Sequence, residues 1–138
     1  MIDRALQFAT RVHASQFDKA GQPYIQHCIR VADQCWSTEA QVIALLHDTV
    51  EDCPACATEL KHEFGVEIYS WVNWLTRPRG CTYVNYIKSI ALYSISREVK
   101  IADLRDNMDL RRLPHITCAD LKRQSKYLDA LTVLENRS

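Results

Sequence analysis

The sequence predicts an all-α fold, a single domain over residues 1–138 built as a bundle of about seven or eight helices. Apolar residues recur at helical spacing along almost the whole chain, and no stretch shows the sustained alternation of a half-buried strand. Only three glycines and four prolines interrupt the pattern. With 138 residues, of which 47% are hydrophobic, the chain is long enough to bury one core.

The first three helices are predicted from their apolar stripes. His13 lies beside the stripe of the first helix, where we interpret it as structural, and Trp36 falls on the inward stripe of the second. Thr38 with Gln41 resembles a capping box for the third helix, which is apolar on nearly all sides up to His47. The third helix is therefore expected to be the central, buried one. The predicted ranges are about 3–16, 24–36 and 39–50.

The later helices are predicted from their caps and stops. Gly65 occupies a terminating position, and Pro114 is expected to end a long helix that starts near Arg97. Leucines 121, 128, 131 and 134 are expected to face inward on the last helix. A polar row on the long helix has a spacing of three and four residues: Lys100, Asp103, Asn107 and Arg111. The predicted caps are Thr58, Thr82, Ser96 and Thr117, the last with Asp120.

Composition excludes some classes of function. Lys plus Arg and Asp plus Glu both number 17, so nothing indicates bulk electrostatic binding of nucleic acid. The longest apolar run is far shorter than the roughly 20 residues of a membrane span, and the start of the chain does not resemble a signal peptide. We therefore expect a cytoplasmic protein without a membrane partner. The sequence leaves open whether it forms a homo-oligomer.

The six cysteines are expected to be reduced in the cytoplasm. Cys53 and Cys56 form a lone CxxC motif, and a structural zinc site would need a second ligand pair at a defined spacing, which the sequence lacks. We therefore interpret the pair as ordinary loop cysteines in preference to a zinc or redox site.

Residues 47–52, His-Asp-Thr-Val-Glu-Asp, directly follow the most apolar run of the chain. His47 and Asp48 are neighbours, and Glu51 and Asp52 follow one helical turn later on the same side. Three acidic groups at the end of a buried segment repel one another unless a cation or a substrate accounts for them. A solvated helix end is the alternative, and the strongly apolar preceding turn argues against it.

Together with further motifs, residues 47–52 make this sequence resemble the HD phosphohydrolase superfamily. The resemblance is closer still to the hydrolase domain of RelA/SpoT homologues. At this length the chain is similar to the stand-alone small alarmone hydrolases. The matching motifs run in the family's order from about residue 5 to residue 110. They are Phe8-Ala9 with His13 and Gln16, residues 21–27, residues 44–52, Phe64-Gly65, Leu75-Thr76, and residues 99–103 leading to Asn107.

The resemblance implies hydrolysis of the 3′-pyrophosphate of guanosine 3′,5′-bis(diphosphate) or its pentaphosphate relative, with a bound manganese ion, to GDP or GTP plus pyrophosphate. Glu51 and Asp52 match the acidic pair that handles the attacking water and its proton, and Asn107 matches a nucleotide contact. The implied metal ligands are His27, His47, Asp48 and Asp103. This donor set of two histidines and two carboxylates suits manganese, iron or zinc and does not by itself select the ion.

Cationic side chains are needed to hold the phosphates that are not attacked, and the sequence offers candidates for them. Asp18 departs from the family pattern, because the loop before Gly21 is usually more basic and there contacts the base. An adenosine alarmone, NADPH, another nucleoside phosphate, or nucleotide binding without turnover therefore remain alternatives. The cationic candidates are Lys19, Arg79, Lys100 and Arg111.

Overall fold

The computed structural model describes residues 1–136, and within that range it contains α-helices, two short 3-10 turns and no sheet. The prediction of an all-α fold is confirmed. The 3-10 turns cover Pro54–Cys56 and Leu110–Arg112. The helices are α1 (Ile2–Val12), α2 (Ile25–Gln34), α3 (Thr38–Leu46), α4 (Thr49–Asp52), α5 (Ala57–Trp74), α6 (Tyr83–Ile90), α7 (Ser94–Asn107) and α8 (Cys118–Glu135).

Helix α3 forms the centre of the bundle, as its sequence predicts. It packs against α1, α2 and α7, which bury every side chain from Val42 to Leu46. An apolar helix gains most stability where neighbours cover every side. Its buried side chains are Ala40, Val42, Ile43, Ala44, Leu45 and Leu46. The end of α3 is therefore held in the core, and the polar residues that directly follow it are held close to the core as well.

The prediction of one continuous helix over residues 39–50 is wrong, because the chain bends at His47 and Asp48. Asp48 has φ −100° and ψ −2°, away from regular helical values, and α4 starts only at the next residue. The Thr49 hydroxyl donates to the carbonyl oxygen of Leu46 at 2.7 Å and so takes over a backbone acceptor at the bend. The bend separates the central helix from the short helix that carries Glu51 and Asp52.

Several helix boundaries agree with the sequence. The Thr82 side chain accepts from the amide of Asn85, and Thr117 forms a reciprocal capping box with Asp120. Gly65 has φ +92° and kinks α5, in the left-handed region that glycine tolerates best. The predicted separation of two helices at this glycine corresponds to that kink.

Other boundaries differ from the prediction. Ser37 caps α3 in place of Thr38, and Cys56 occupies the position before α5, where Thr58 was expected. Ser96 lies inside α7, where its hydroxyl donates to the carbonyl oxygen of Ile90 at 2.7 Å. Helix α7 ends at Asn107 and does not continue to Pro114.

Two predictions of inward-facing side chains are also wrong. Helix α2 ends before Trp36, whose side chain is 84% exposed. On α8, Leu121 and Leu128 are exposed, and Leu134 is buried. Helix α8 packs against α6 and α7, which brings its first half beside the end of α7. In residues 1–136 no helix is long and apolar enough to cross a membrane.

Candidate metal centre and active site

Four side chains from three parts of the bundle meet at the bend after α3. His27 comes from α2, His47 and Asp48 from the bend, and Asp103 from the middle of α7. One ligand atom of each lies within 4.8 Å of those of the others. The Asp103 Oδ1 atom is 2.9 Å from His27 Nε2 and 3.3 Å from His47 Nε2. The residues predicted to bind a metal are thus brought together.

The two imidazole rings are oriented by hydrogen bonds on their far sides. His47 Nδ1 donates to the carbonyl oxygen of Ala44 at 2.5 Å, and His27 Nδ1 donates to Asp106 Oδ2 at 2.6 Å. Because carbonyl and carboxylate oxygens only accept, Nδ1 carries a proton in both rings. Each Nε2 atom therefore faces the shared centre, where it can act as a ligand.

The charges of the cluster fit a bound cation. Burial raises the pKa of Asp103, but Lys100 and the two histidines outweigh it and hold that pKa well below its ordinary value. Burial lowers the pKa of His27, but its hydrogen bonds to Asp103 and Asp106 raise it to about 9. The carboxylates of Asp48 and Asp103 are thus nearly buried, and their negative charges require positive charge close by. A divalent cation can replace the Nε2 protons, and two imidazole nitrogens with two carboxylate oxygens form a suitable donor set.

Helix α4 presents the acidic pair at the edge of the cluster. Partial burial and the nearby charge of Asp48 raise the pKa of Glu51. Asp52 Oδ2 accepts a hydrogen bond of 2.9 Å from Gln16 Nε2, and Gln16 Oε1 lies 2.8 Å from Nδ1 of the buried His13. The orientation of Asp52 therefore depends on the loop that follows α1.

Beside His27 opens a cavity of about 390 Å³, bordered by the loop after α1, the end of α7 and the first half of α8. Lys19 and Asn107, both predicted to bind substrate, lie in its wall. The pKa of Lys19 is lowered by burial and by the neighbouring Arg123. Asp120 in the same wall pairs with Arg123 and partly balances the repulsion between these two cations, and an anionic ligand would reduce it further. Further lining residues are Tyr24, Arg30, Arg112 and Tyr127.

The other predicted cationic contacts lie elsewhere. Lys100 Nζ binds Asp103 Oδ2 at 2.9 Å and is mostly buried against the cluster. Arg111 lies in the 3-10 turn beyond α7, where its side chain is 89% exposed and pairs with Asp109. Arg79 is exposed in the loop before α6. Neither Arg79 nor Arg111 is among the described residues that line the cavity.

Several site residues were not identified from the sequence. Tyr24 donates from its hydroxyl to Asp48 Oδ2 at 2.5 Å, and Asp106 holds His27. Arg123 and Tyr127 are four residues apart on α8 and point at the cavity together. That spacing places two residues on one helix face, but only the packing of α8 shows which face meets the site.

The fold and the site define a class of protein. A family model described as an HD domain matches residues 5–114, and the chain belongs to this HD domain family. HD domains are metal-dependent, in keeping with the His/Asp cluster.

Among curated relatives, the chain is 32% identical over 117 residues to a guanosine-3′,5′-bis(diphosphate) 3′-pyrophosphohydrolase of Aquifex aeolicus, a match that covers 78% of the chain and 17% of that protein. It is 34% identical over 128 residues to a probable GTP pyrophosphokinase of Mycobacterium leprae, covering 83% of the chain and 16% of the relative. The chain thus spans less than a fifth of the length of these relatives.

A solved structure described as a metazoan ortholog of SpoT that hydrolyzes ppGpp superposes with a TM-score of 0.81. The superposition covers 98% of this chain and 85% of the other, at 24% sequence identity. At that identity the likeness establishes the shared fold.

Proposed function

We propose that this chain is a metal-dependent hydrolase that removes the 3′-pyrophosphate of guanosine 3′,5′-bis(diphosphate) or its pentaphosphate, producing GDP or GTP and pyrophosphate. The observation that carries the proposal is the convergence of two histidines and two aspartates within 4.8 Å, directly before a helix with two more carboxylates. The names of the Aquifex relative and the metazoan structural neighbour support this choice of substrate. The reaction belongs in the cytoplasm, where guanine nucleotides are made and used.

In this proposal, the four side chains that converge at the bend after α3 bind the metal, and the ion is Mn²⁺. When bound, it would stabilise charge on the phosphoryl oxygens and make hydroxide available from water near neutral pH. The mixed nitrogen and oxygen donors support a transition metal over Mg²⁺. Tyr24 and Asp106 keep Asp48 and His27 aimed at the centre through their hydrogen bonds. The ligand residues are His27, His47, Asp48 and Asp103.

Glu51 and Asp52 handle the attacking water. The raised pKa of Glu51 suits a group that must accept a proton near neutral pH. Asp52 orients the water, because the hydrogen bond from Gln16 holds its Oδ2 atom in place. The two carboxylates differ in surroundings, and this difference supports a division of roles between them.

The cavity beside His27 holds the part of the nucleotide that is not attacked. Lys19 and Arg123 neutralise the remaining phosphates, and Asn107 offers an amide within hydrogen-bonding reach of the cluster, 3.3 Å from Asp103 Oδ1. Lys100 contributes through Asp103, whose charge it partly balances. Arg79 and Arg111 have no part in this proposal, since neither is among the described residues that line the cavity.

The cavity indicates the nucleobase of the substrate less clearly than it indicates the phosphates. Asp18 Oδ1 accepts 2.9 Å hydrogen bonds from the backbone amides of Ala20 and Gln22, so its carboxylate shapes the loop. Lys19 is then the loop's side chain left for the base or a phosphate. An adenosine alarmone is the second candidate substrate, supported by this weak base contact.

The test is product identification after incubation with Mn²⁺ and guanosine or adenosine alarmones. We expect GDP and pyrophosphate from the guanosine tetraphosphate, and loss of at least about 100-fold in kcat/KM in His47→Ala. An unchanged rate in this variant would refute the site. Faster turnover of the adenosine compound, or of NADPH, would reassign the substrate.

A further inference from the structure

The CxxC pair lies at the end of the catalytic helix and is oxidised in the structure. A disulfide joins Cys53, which directly follows α4, to Cys56, which precedes α5, with their Cα atoms 5.5 Å apart. The expectation that all six cysteines are reduced is therefore wrong for this pair. The other four cysteines are free.

The position of the disulfide connects it to the active site. The amides of Asp52 and Cys53 donate to Asp48 and Thr49 at 3.0 and 2.8 Å, which completes the single turn of α4. Cys56 packs against the hydrophobic core. The bond therefore ties the free end of the helix that carries the acidic pair to an anchored residue. A helix this short is unstable by itself and depends on such restraints.

Both cysteines are half-exposed, in contrast to the buried Cys28 and Cys35. A reagent can thus reach the pair from solvent. Disulfides in reducing compartments are usually transient and regulatory. A pair that is close, accessible and attached to catalytic residues meets the conditions for such a role.

We propose that Cys53 and Cys56 form a reversible thiol–disulfide switch whose oxidised state holds α4 in its catalytic position. The oxidant is a small-molecule disulfide such as glutathione disulfide. One cysteine thiolate attacks it and forms a mixed disulfide, releasing one glutathione thiol. The second cysteine attacks the mixed disulfide, forms the Cys53–Cys56 bond and releases the second glutathione, so the two protein thiol protons end on two glutathione molecules.

In the reduced state, the end of α4 loses this covalent tether and depends on its backbone hydrogen bonds and on the contact between Gln16 and Asp52. Asp52 then keeps its contact with Gln16 for a smaller fraction of the time. Reduction is therefore expected to lower kcat with little effect on metal binding, since all four ligands lie outside α4. The activity part of this inference rests on the proposed function, and the structural part does not.

The first experiment measures the switch without substrate. Purified protein is equilibrated in glutathione redox buffers, alkylated and weighed by mass spectrometry, and amide hydrogen exchange is followed over residues 49–56. We expect an intramolecular disulfide confined to the 53–56 peptide, with exchange at Asp52 and Cys53 about threefold or more faster after reduction. Absence of this disulfide, or equal exchange in the two states, would overturn the switch.

The second experiment compares hydrolysis by the two states. Oxidised protein is expected to have a kcat about twofold or more above reduced protein. The kcat of Cys53→Ser should equal that of the reduced protein and should not change when oxidant is added. Cys118→Ser, which removes an exposed cysteine, is the control, and its kcat should respond to oxidant as that of wild type does. Equal kcat in both states overturns the regulatory role. If neither the oxidised nor the reduced protein hydrolyses guanosine 3′,5′-bis(diphosphate), the proposed function fails. The hydrogen-exchange experiment still tests whether the disulfide changes the structure of α4.

Discussion

The Oδ2 atom of Asp106 lies 2.6 Å from Nδ1 of His27, on the side of the ring that faces away from the candidate metal centre. Arg30 holds the same carboxylate with two hydrogen bonds of 2.8 and 3.2 Å, and Arg112 adds a third at 3.3 Å. The histidine is thus fixed by an acid that is itself fixed by two cations. Such partners behind a metal ligand set the orientation and basicity of the ring.

Removing Asp106 is therefore expected to weaken metal binding. In Asp106→Ala the His27 ring loses the acceptor that holds it, and the Kd for Mn²⁺ should rise about 10- to 100-fold. Chelator competition on the purified protein measures this directly. Asp33→Ala is the control, because Asp33 is an exposed acid on α2, the same helix that carries His27. Equal Kd values in the two variants would show that Asp106 does not position the ligand.

The buried pair of Lys100 and Asp103 is expected to matter for stability as well as for metal binding. Asp103→Ala leaves Lys100 nearly buried without its partner and should lower the free energy of unfolding by about 3–5 kcal/mol. Urea denaturation of metal-free protein provides the measurement. The exposed pair of Arg11 and Glu59 is the comparison, and Glu59→Ala should cost less than about 1 kcal/mol. Similar losses in both variants would mean that the buried pair is not specially important.

The four residues of the candidate metal centre were predicted from the sequence in two different ways. Charged residues directly after an apolar run identified His47 and Asp48, because that conflict with burial is visible locally. His27 and Asp103 are 76 residues apart and meet through the packing of α2 on α7. The hydrophobic periodicity of a helix does not show which distant helix it contacts. Only the ordered motifs of the family therefore indicated His27 and Asp103 as candidate ligands.

The wrong predictions have physical causes of the same kind. Arg111 was placed on the polar row of α7 by extending the helix to Pro114, but the helix ends at Asn107 and the row ends with it. Asp106 and Arg123 contribute to the site through tertiary contacts and carry no local signal. The bend at His47 and Asp48 was missed because residues 39–50 have helix-compatible composition, and the hydrogen bond of the Thr49 hydroxyl to the Leu46 carbonyl at the bend has no sequence signal of its own.

The cap of α8 is expected to make stability depend on acid pH. Hydrogen bonds from the backbone and hydroxyl of Thr117 and the charge of Arg123 lower the pKa of Asp120. Since the folded pKa is depressed, this contribution is fully present above the unfolded pKa of about 3.9 and is lost as pH falls below it. Urea midpoints of wild type and Asp120→Asn should therefore differ at pH 7, and the difference should shrink as the pH falls below about 3.9 and through the depressed folded pKa.

Asp129→Asn is the control for this comparison, because Asp129 is an exposed residue of the same helix. Its urea midpoint should follow that of wild type across the pH range. A constant gap between wild type and Asp120→Asn down to acid pH would show that the carboxylate charge is not what stabilises the cap.

Lys19 and Arg111 provide a test of where the phosphates bind. Lys19 lines the cavity beside His27, and Arg111 is 89% exposed and paired with Asp109. A charge-assisted hydrogen bond to phosphate contributes about 1.5–3 kcal/mol, so Lys19→Ala should raise KM about tenfold or more and leave kcat less affected. Arg111→Ala should keep KM within about twofold of wild type. Steady-state kinetics with saturating Mn²⁺ compares them, and a larger effect at Arg111 would place the nucleotide outside this cavity.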